Sequence, residues 1–287
     1  MWAPRLSRMT LSHDVAGHGP VVVLLHSSVC DRRMWDDQWK ALTDAGHRVV
    51  RCDFRGFGDT PAEAVHPYRD ADDVLALLDT LGVGRAALVG ASFGGRVAVE
   101  IAARDPERVT ALALLCAALP GHEPGPALRD FDSREDELIE ADDLLGAVEL
   151  NVTTWLGPEA TEAVRERVRA MQRHAFEVQL AADEAADEAA GESAQEAADE
   201  AAGLEAPGSE EPSVDPAAIT APTLVVSGAH DMADFRAMST RLARLIPDAR
   251  HIELPWAGHL PSLERPAEAT ALLTAFLREH TPVERAA

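Results

Sequence analysis

The sequence predicts an α/β fold with a mostly parallel central sheet, helices on both faces, and a mostly helical lid insertion. Three observations predict it. Short apolar runs alternate with helical stretches along both ends of the chain, the rhythm of strand-helix-strand units. One apolar run, Ala86-Ala87-Leu88-Val89, passes through Gly90-Ala91-Ser92-Phe93-Gly94-Gly95 directly into the helical stretch Arg96–Ala103. And the rhythm stops at Ala117-Ala118-Leu119-Pro120-Gly121, resuming only near Pro216.

The elements follow in order. Pro20–Leu25 is a continuous apolar run, as a strand buried on both faces requires. It ends at His26-Ser27-Ser28. A helical stretch around Met34 to Ala45 is closed by Gly46, and His47–Cys52 forms the next strand. The turn-rich segment Asp53-Phe54-Arg55-Gly56-Phe57-Gly58-Asp59 follows. Residues 68 to 81 show helical spacing, with Val74, Leu75, Leu78 and Leu81 on one face. Val109–Leu115 is another buried strand. After the break, Pro222–Gly228 and Arg250–Leu254 read as strands, with helices over Asp234–Leu245 and Ala267–Glu279. The core therefore spans 9–116 and 217–280.

The intervening 117–216 reads as mostly helical, with helices over 134–150 and 158–180 and Trp155 in the connection between them. Such an insertion would cover the C-terminal edge of the sheet, where ligands bind in open α/β folds. Within it, the acidic segment 181–211 includes the runs 181–190 and 197–202, made of Ala, Asp and Glu alone, and no Lys or Arg occurs from His174 to Phe235. Alanine favours helix, but Asp183/Asp187 and Glu184/Glu188 place like charges four apart. A frayed helix or disorder is expected there. The spacing of the carboxylates matches no EF-hand loop.

The 287 residues carry a formal charge of -23, and Lys40 is the only lysine. That acidity argues against nucleic acid or an anionic membrane as partner. No segment is apolar enough over sufficient length to cross a bilayer or act as a signal peptide, so a cytoplasmic enzyme is expected. Cys30, Cys52 and Cys116 are odd in number and lack metal spacing, which suits buried, reduced thiols. No phosphate loop, metal cluster or redox motif appears, and no cofactor is implied. A homodimer is compatible with the sequence and is not specified by it.

The pattern Gly90-x-Ser92-x-Gly94 between strand and helix is a nucleophile elbow. A serine hydroxyl needs a base to take its proton, and the base needs a carboxylate to hold its tautomer. Two loops supply them. Gly228-Ala229-His230-Asp231 and Trp256-Ala257-Gly258-His259 each follow a strand, hence leave the same sheet edge as Ser92. The candidate catalytic residues are Ser92, Asp231 and His259.

With the His26 loop and Asp53–Gly58, these motifs resemble the α/β-hydrolase family from about Met9 to Phe276, most closely its small esterases, enol-lactonases and cofactor-free haloperoxidase-like enzymes. The resemblance implies Ser92 as nucleophile, His259 as base then acid, and Asp231 as its orienter. It implies an oxyanion hole made by the backbone N–H of Phe93 and of Ser28, where Ser27 replaces the glycine usual in the family. His26 is expected to buttress that loop, and Asp53 and Arg55 to shape a turn. Trp155 is a candidate for the substrate pocket; Trp35, Trp39 and Phe57 line the pocket or fill the core. The expected substrate is a small ester or lactone. Carbon–carbon bond hydrolases, thioesterases and acyltransferases keep the same triad, and a ligand-binding protein on this fold is the alternative of another class. Epoxide hydrolases and haloalkane dehalogenases use an Asp nucleophile, which Ser92 argues against.

Overall fold

A computed structural model describes residues 10–62, 68–197, 214–281 and 283. In chain order the elements are β1 (His13–Ala16), β2 (Val21–Leu25), α1 (Asp36–Asp44), β3 (Arg48–Cys52), α2 (Asp70–Thr80), β4 (Ala86–Ala91), α3 (Phe93–Arg104), β5 (Val109–Leu115), α4 (Pro126–Glu140), α5 (Leu144–Trp155), α6 (Glu162–Ala197), β6 (Thr223–Gly228), α7 (Ala233–Leu245), β7 (Ala249–Leu254), α8 (Pro261–Glu264) and α9 (Pro266–His280). The strands form one seven-stranded sheet in the order β1-β3-β2-β4-β5-β6-β7. Every pairing is parallel except β1 with β3. β4 and β6 are buried at every residue, which is why their sequences are unbroken apolar or small runs rather than alternating ones.

Register decides where the chemistry can sit. Leu25 pairs with Gly90, Ala91 with Leu115, Leu115 with Val226 and Gly228 with Leu254. The C-terminal ends of these strands are therefore level. The loops that follow β2, β4, β5, β6 and β7 all emerge at one edge, carrying His26, Ser92, Cys116, Asp231 and His259 respectively.

Three features differ from the sequence expectation. The first is β1, a four-residue antiparallel edge strand that the sequence reading did not find. It has no apolar run, and Val15 is exposed. The second is the stretch read as one helix over 134–150, which is broken between α4 and α5. Asp142 turns the chain with φ 58, and the Asp143 side chain accepts a hydrogen bond from Gly146 N–H, capping α5. Trp155 is the last residue of α5 instead of part of a connection. The third is α6, which continues through the acidic run to Ala197.

The physical reason for that continuation is that the nucleus is already made. Val164, Val168, Met171, Ala175 and Phe176 recur at helical spacing and are buried, so packing holds the first turns of α6. Adding alanine-rich turns to an existing helix avoids the cost of nucleation, and this outweighs the like-charge pairs. The helix has 36 residues, a length of roughly 54 Å. The rest of the acidic segment, 198–211, and the start of the expected core at Met9 lie outside the described residues. Among the described residues no helix is long and apolar enough to cross a membrane.

One buried carboxylate makes the stability of the fold depend on pH. Asp70 opens α2, and burial, reinforced by the nearby charge of Asp73, raises its pKa from 3.8 to about 6. The folded chain thus holds this proton more tightly than the unfolded one. The resulting stabilisation is full below the unfolded pKa and disappears as pH rises through the folded one. Asp70→Asn should leave the melting temperature little changed at pH 4 and raise it at pH 8, by the equivalent of about 1–3 kcal/mol. Thermal melts of both proteins across that range check this; a gap that does not change with pH would show that Asp70 titrates normally.

Candidate active site

Ser92 sits between the end of β4 and the start of α3, with φ 50 and ψ -114. A non-glycine residue at positive φ is strained, by roughly 1–3 kcal/mol, and persists only where its surroundings over-determine it. Here they do. Ser92 N–H donates to Leu115 O at 3.0 Å, and Ser92 O accepts from Arg96 N–H at 3.0 Å and Ala118 N–H at 3.1 Å. The flanking glycines let the elbow close. A Cβ on Gly90 would strike the Gly94 backbone, and one on Gly94 would strike the carbonyls of Leu25 and His26.

Asp231 and His259 meet behind the cavity. His259 Nδ1 lies 3.0 and 2.9 Å from the two Asp231 carboxylate oxygens, and both side chains are buried. Asp231 is itself held by Met232 N–H at 2.7 Å. This pairing places the ring proton on Nδ1 and leaves Nε2 as an acceptor. The ring is boxed by aromatic neighbours, with centroids 4.6 Å from Trp155 and 4.3 Å from Phe235. His259 N–H also donates to Trp155 O at 2.8 Å, tying the histidine loop to the end of α5.

A residue the sequence reading missed holds that loop in place. Glu264, at the end of α8, is 6% exposed. Its carboxylate accepts from the backbone N–H groups of Gly157, Gly258 and Leu260, at 3.1, 2.9 and 3.1 Å. Burial raises its pKa, and these three donors oppose the rise. The signal was there: a lone carboxylate beside the apolar stretch Leu260-Pro261-Ser262-Leu263, which needs partners if it folds inward.

His26 does what was expected of it. Its Nε2 accepts from Phe54 N–H at 3.0 Å and its Nδ1 pairs with Ser27 O at 2.8 Å. It is fully buried, and desolvation lowers its pKa, so it remains a neutral strut between two loops. Asp53 likewise shapes its turn, accepting from Arg32 N–H at 2.7 Å and Asp59 N–H at 3.0 Å. Arg55 pairs with Asp73 at 2.6 Å. Phe93 N–H is the first amide of α3 and Ser28 N–H lies in the loop after β2; neither donates to another backbone group.

Ser92, His259, Ser28 and Trp155 all line one cavity of about 300 Å³, with Asp231 behind His259. Ser92 and His259 share its wall, and among the hydrogen bonds of the described residues none joins them directly. Phe57 lines the cavity too, whereas Trp35 is fully buried core and Trp39 packs against the core beneath Arg51. α4, α5 and α6 contribute the side of the cavity facing the triad.

Cys116, Asp231 and His259 are the one group among the described residues with metal-ligand spacing, their ligand atoms lying within 4.8 Å of one another. They fit a metal poorly. Asp231 and His259 Nδ1 are committed to each other, and burial followed by the Asp231 charge pushes the Cys116 thiol well above its ordinary pKa, away from the thiolate a metal needs.

Known proteins share this fold. A family model described as the alpha/beta hydrolase fold matches residues 20–266. A putative carbamate hydrolase, RutD, of Variovorax paradoxus is 33% identical over 277 residues, which is 94% of this chain and 96% of that one. The enol-lactonase from Burkholderia xenovorans LB400 superposes with a TM-score of 0.70 at 26% identity, covering 93% of this chain and 96% of that one. A thermophilic esterase from Thermogutta terrifontis superposes with a TM-score of 0.73 at 27% identity, covering 94% of each chain. The chain is a hydrolase, and it belongs to the α/β-hydrolase fold family.

Proposed function

We propose that the protein is a serine hydrolase that cleaves a small ester or lactone through an acyl-enzyme. The observation that carries this reading is the buried Asp231–His259 pair beside a strained serine in the same cavity. Asp231 holds the His259 tautomer whose Nε2 accepts the Ser92 proton as Oγ attacks the carbonyl carbon. The oxygen of the tetrahedral intermediate gains charge and takes hydrogen bonds from Phe93 N–H, at the positive end of α3, and from Ser28 N–H. His259 then gives its proton to the leaving oxygen, and the carbon–oxygen bond breaks. Water attacks the acyl group, its proton passing to His259 and on to Ser92 Oγ as the acid departs. Trp155 and the helices α4–α6 act as the lid, excluding water from the cavity.

A carbamate presents the same attackable carbonyl, and the similarity to a putative carbamate hydrolase supports assaying carbamates beside esters and lactones.

Ser92→Ala should abolish turnover of nitrophenyl acetate and labelling by a fluorophosphonate while leaving the melting curve intact; retention of more than a few per cent of activity would remove Ser92 as nucleophile. Asp231→Asn should lower kcat by about 10³–10⁴-fold by favouring the wrong His259 tautomer.

Glu264 acts through the His259 loop and not on substrate. Glu264→Gln replaces one acceptor oxygen by a donor facing backbone amides. It should lower kcat by about 10-fold or more with a smaller change in KM, while fluorophosphonate labelling of Ser92 slows in proportion. Unchanged labelling together with a lowered melting temperature would mean that Glu264 serves stability alone.

A further inference from the structure

The cavity has two unlike walls. The sheet-edge wall is Ser92, His259 and the serines of the β2 loop. Among the described residues that line the cavity, Asp132 and Glu135 of α4 on the helical wall and His259 on the other are the only ionisable side chains, and none is Lys or Arg. Elsewhere several inward-facing carboxylates are matched by arginine, as in Arg33–Asp31, Arg32–Asp53 and Arg55–Asp73, and others by histidine or by several backbone amides, as at Asp231 and Glu264. Among the described residues Glu135 has no basic partner, only the Asn151 amide that donates to it.

That single partner aims the carboxylate. Asn151 Nδ2 donates both to Glu135 and to Ala147 O, and Asn151 Oδ1 accepts from Trp155 Nε1 at 2.9 Å. The amide is thereby fixed in orientation, and Glu135 keeps its remaining lone pairs for something else. A second residue of this wall points the same way. Gln172 of α6 lines the cavity, is 4% exposed, and its Oε1 is buried with no hydrogen-bond partner. Buried polar groups left unmade are costly, and inside a cavity the missing partner is water or the ligand that displaces it. Phe131 and Trp155, packed edge to face with centroids 4.9 Å apart, line the cavity beside them.

We propose that the substrate is an ester or lactone bearing a protonated amine, whose ammonium docks on Glu135 with Asp132 and Gln172 beside it, while its carbonyl lies at Ser92. This rests on the serine-hydrolase reading and adds the substrate class. An ammonium supplies the donors that Glu135 and Gln172 lack, the opposite charge that both carboxylates lack, and a cation for the aromatic faces. Burial raises the pKa of Glu135, the Asn151 hydrogen bond opposes the rise, and the charges of Asp132 and Asp136 add to it; a docked cation would oppose it further. A substrate carrying its own carboxylate is disfavoured by the same wall.

The test uses the full chain and shape-matched ester pairs that differ in charge. Dimethylaminoethyl butanoate is compared with isopentyl butanoate, in which CH replaces the protonated nitrogen, and methyl dimethylaminobutanoate with its own carbon isostere. Monomethyl glutarate supplies the anion. At least one ammonium ester should exceed its isostere by about tenfold or more in kcat/KM, and the anion should fall below both. Glu135→Gln should bring that ratio to within about threefold of one. Where neither member of a pair turns over, the same ratio is read from their inhibition constants against nitrophenyl acetate hydrolysis. Equal values for ammonium and isostere, or a preference that survives Glu135→Gln and Asp132→Asn, overturn the proposal while leaving the serine chemistry standing. Loss of nitrophenyl acetate turnover and fluorophosphonate labelling in the parent protein would instead overturn the underlying reading, and this one with it.

Discussion

The sheet edge that carries Ser92, Asp231 and His259 hangs on one buried carboxylate. Glu264 gathers the backbone amides of Gly157, Gly258 and Leu260, so one side chain fixes the α5–α6 link, the loop that carries His259, and the turn into α8. The backbones meet closely enough that a Cβ on Gly258 would strike Gly157, and one on Gly228 would strike the carbonyls of Ala257 and Gly258. The Asp231 loop, the His259 loop and the helical insertion are thus interlocked main chain to main chain. Hydrogen bonds to a charged acceptor are stronger than neutral ones, and in a buried setting they define position sharply.

The sheet edge was legible because its signals are local. Continuous apolar runs mark strands buried on both faces, and glycines flank Ser92 because the elbow must close against the β2 loop. Once strand direction is known, Asp231 and His259 fall on the same edge as Ser92 without further information. What stayed hidden depends on distant contacts. β1 is defined by its partner β3, since His13-Asp14-Val15-Ala16 carries no pattern of its own. The α4–α5 break is a local cap, Asp143 on Gly146, written in residues that serve helix interiors almost as well. The persistence of α6 into its acidic half follows from burial of Val168, Met171 and Phe176, which composition alone does not reveal. The partners of Glu264, and the meeting of Glu135 with Asn151, exist only after folding.

His26 shows how an apparently catalytic residue type is put to structural use. Both its ring nitrogens are occupied, one by Phe54 N–H and the other by Ser27 O, and burial keeps it neutral. It joins the turn after β3 to the loop that presents Ser28. Phe54 in turn meets Phe93 edge-on at 5.2 Å, so the two amides assigned to the oxyanion hole are referenced to one packed cluster. Ser27, standing where the family usually has glycine, is fully buried with its hydroxyl unpaired, and the loop closes through Cys30 N–H to Ser27 O at 3.0 Å.

The two walls of the cavity differ in how they can evolve. On the sheet side, position is set by backbone packed on backbone, and at Gly90, Gly228 and Gly258 even a methyl group has nowhere to go. On the helical side, shape and charge are set by side chains projecting from α4, α5 and α6, whose main chain is satisfied within each helix. Substitution there rewrites what the cavity accepts without disturbing the backbone that positions the triad. The architecture separates an inherited chemistry from a mutable taste, which is the condition under which one scaffold can acquire new substrates one residue at a time.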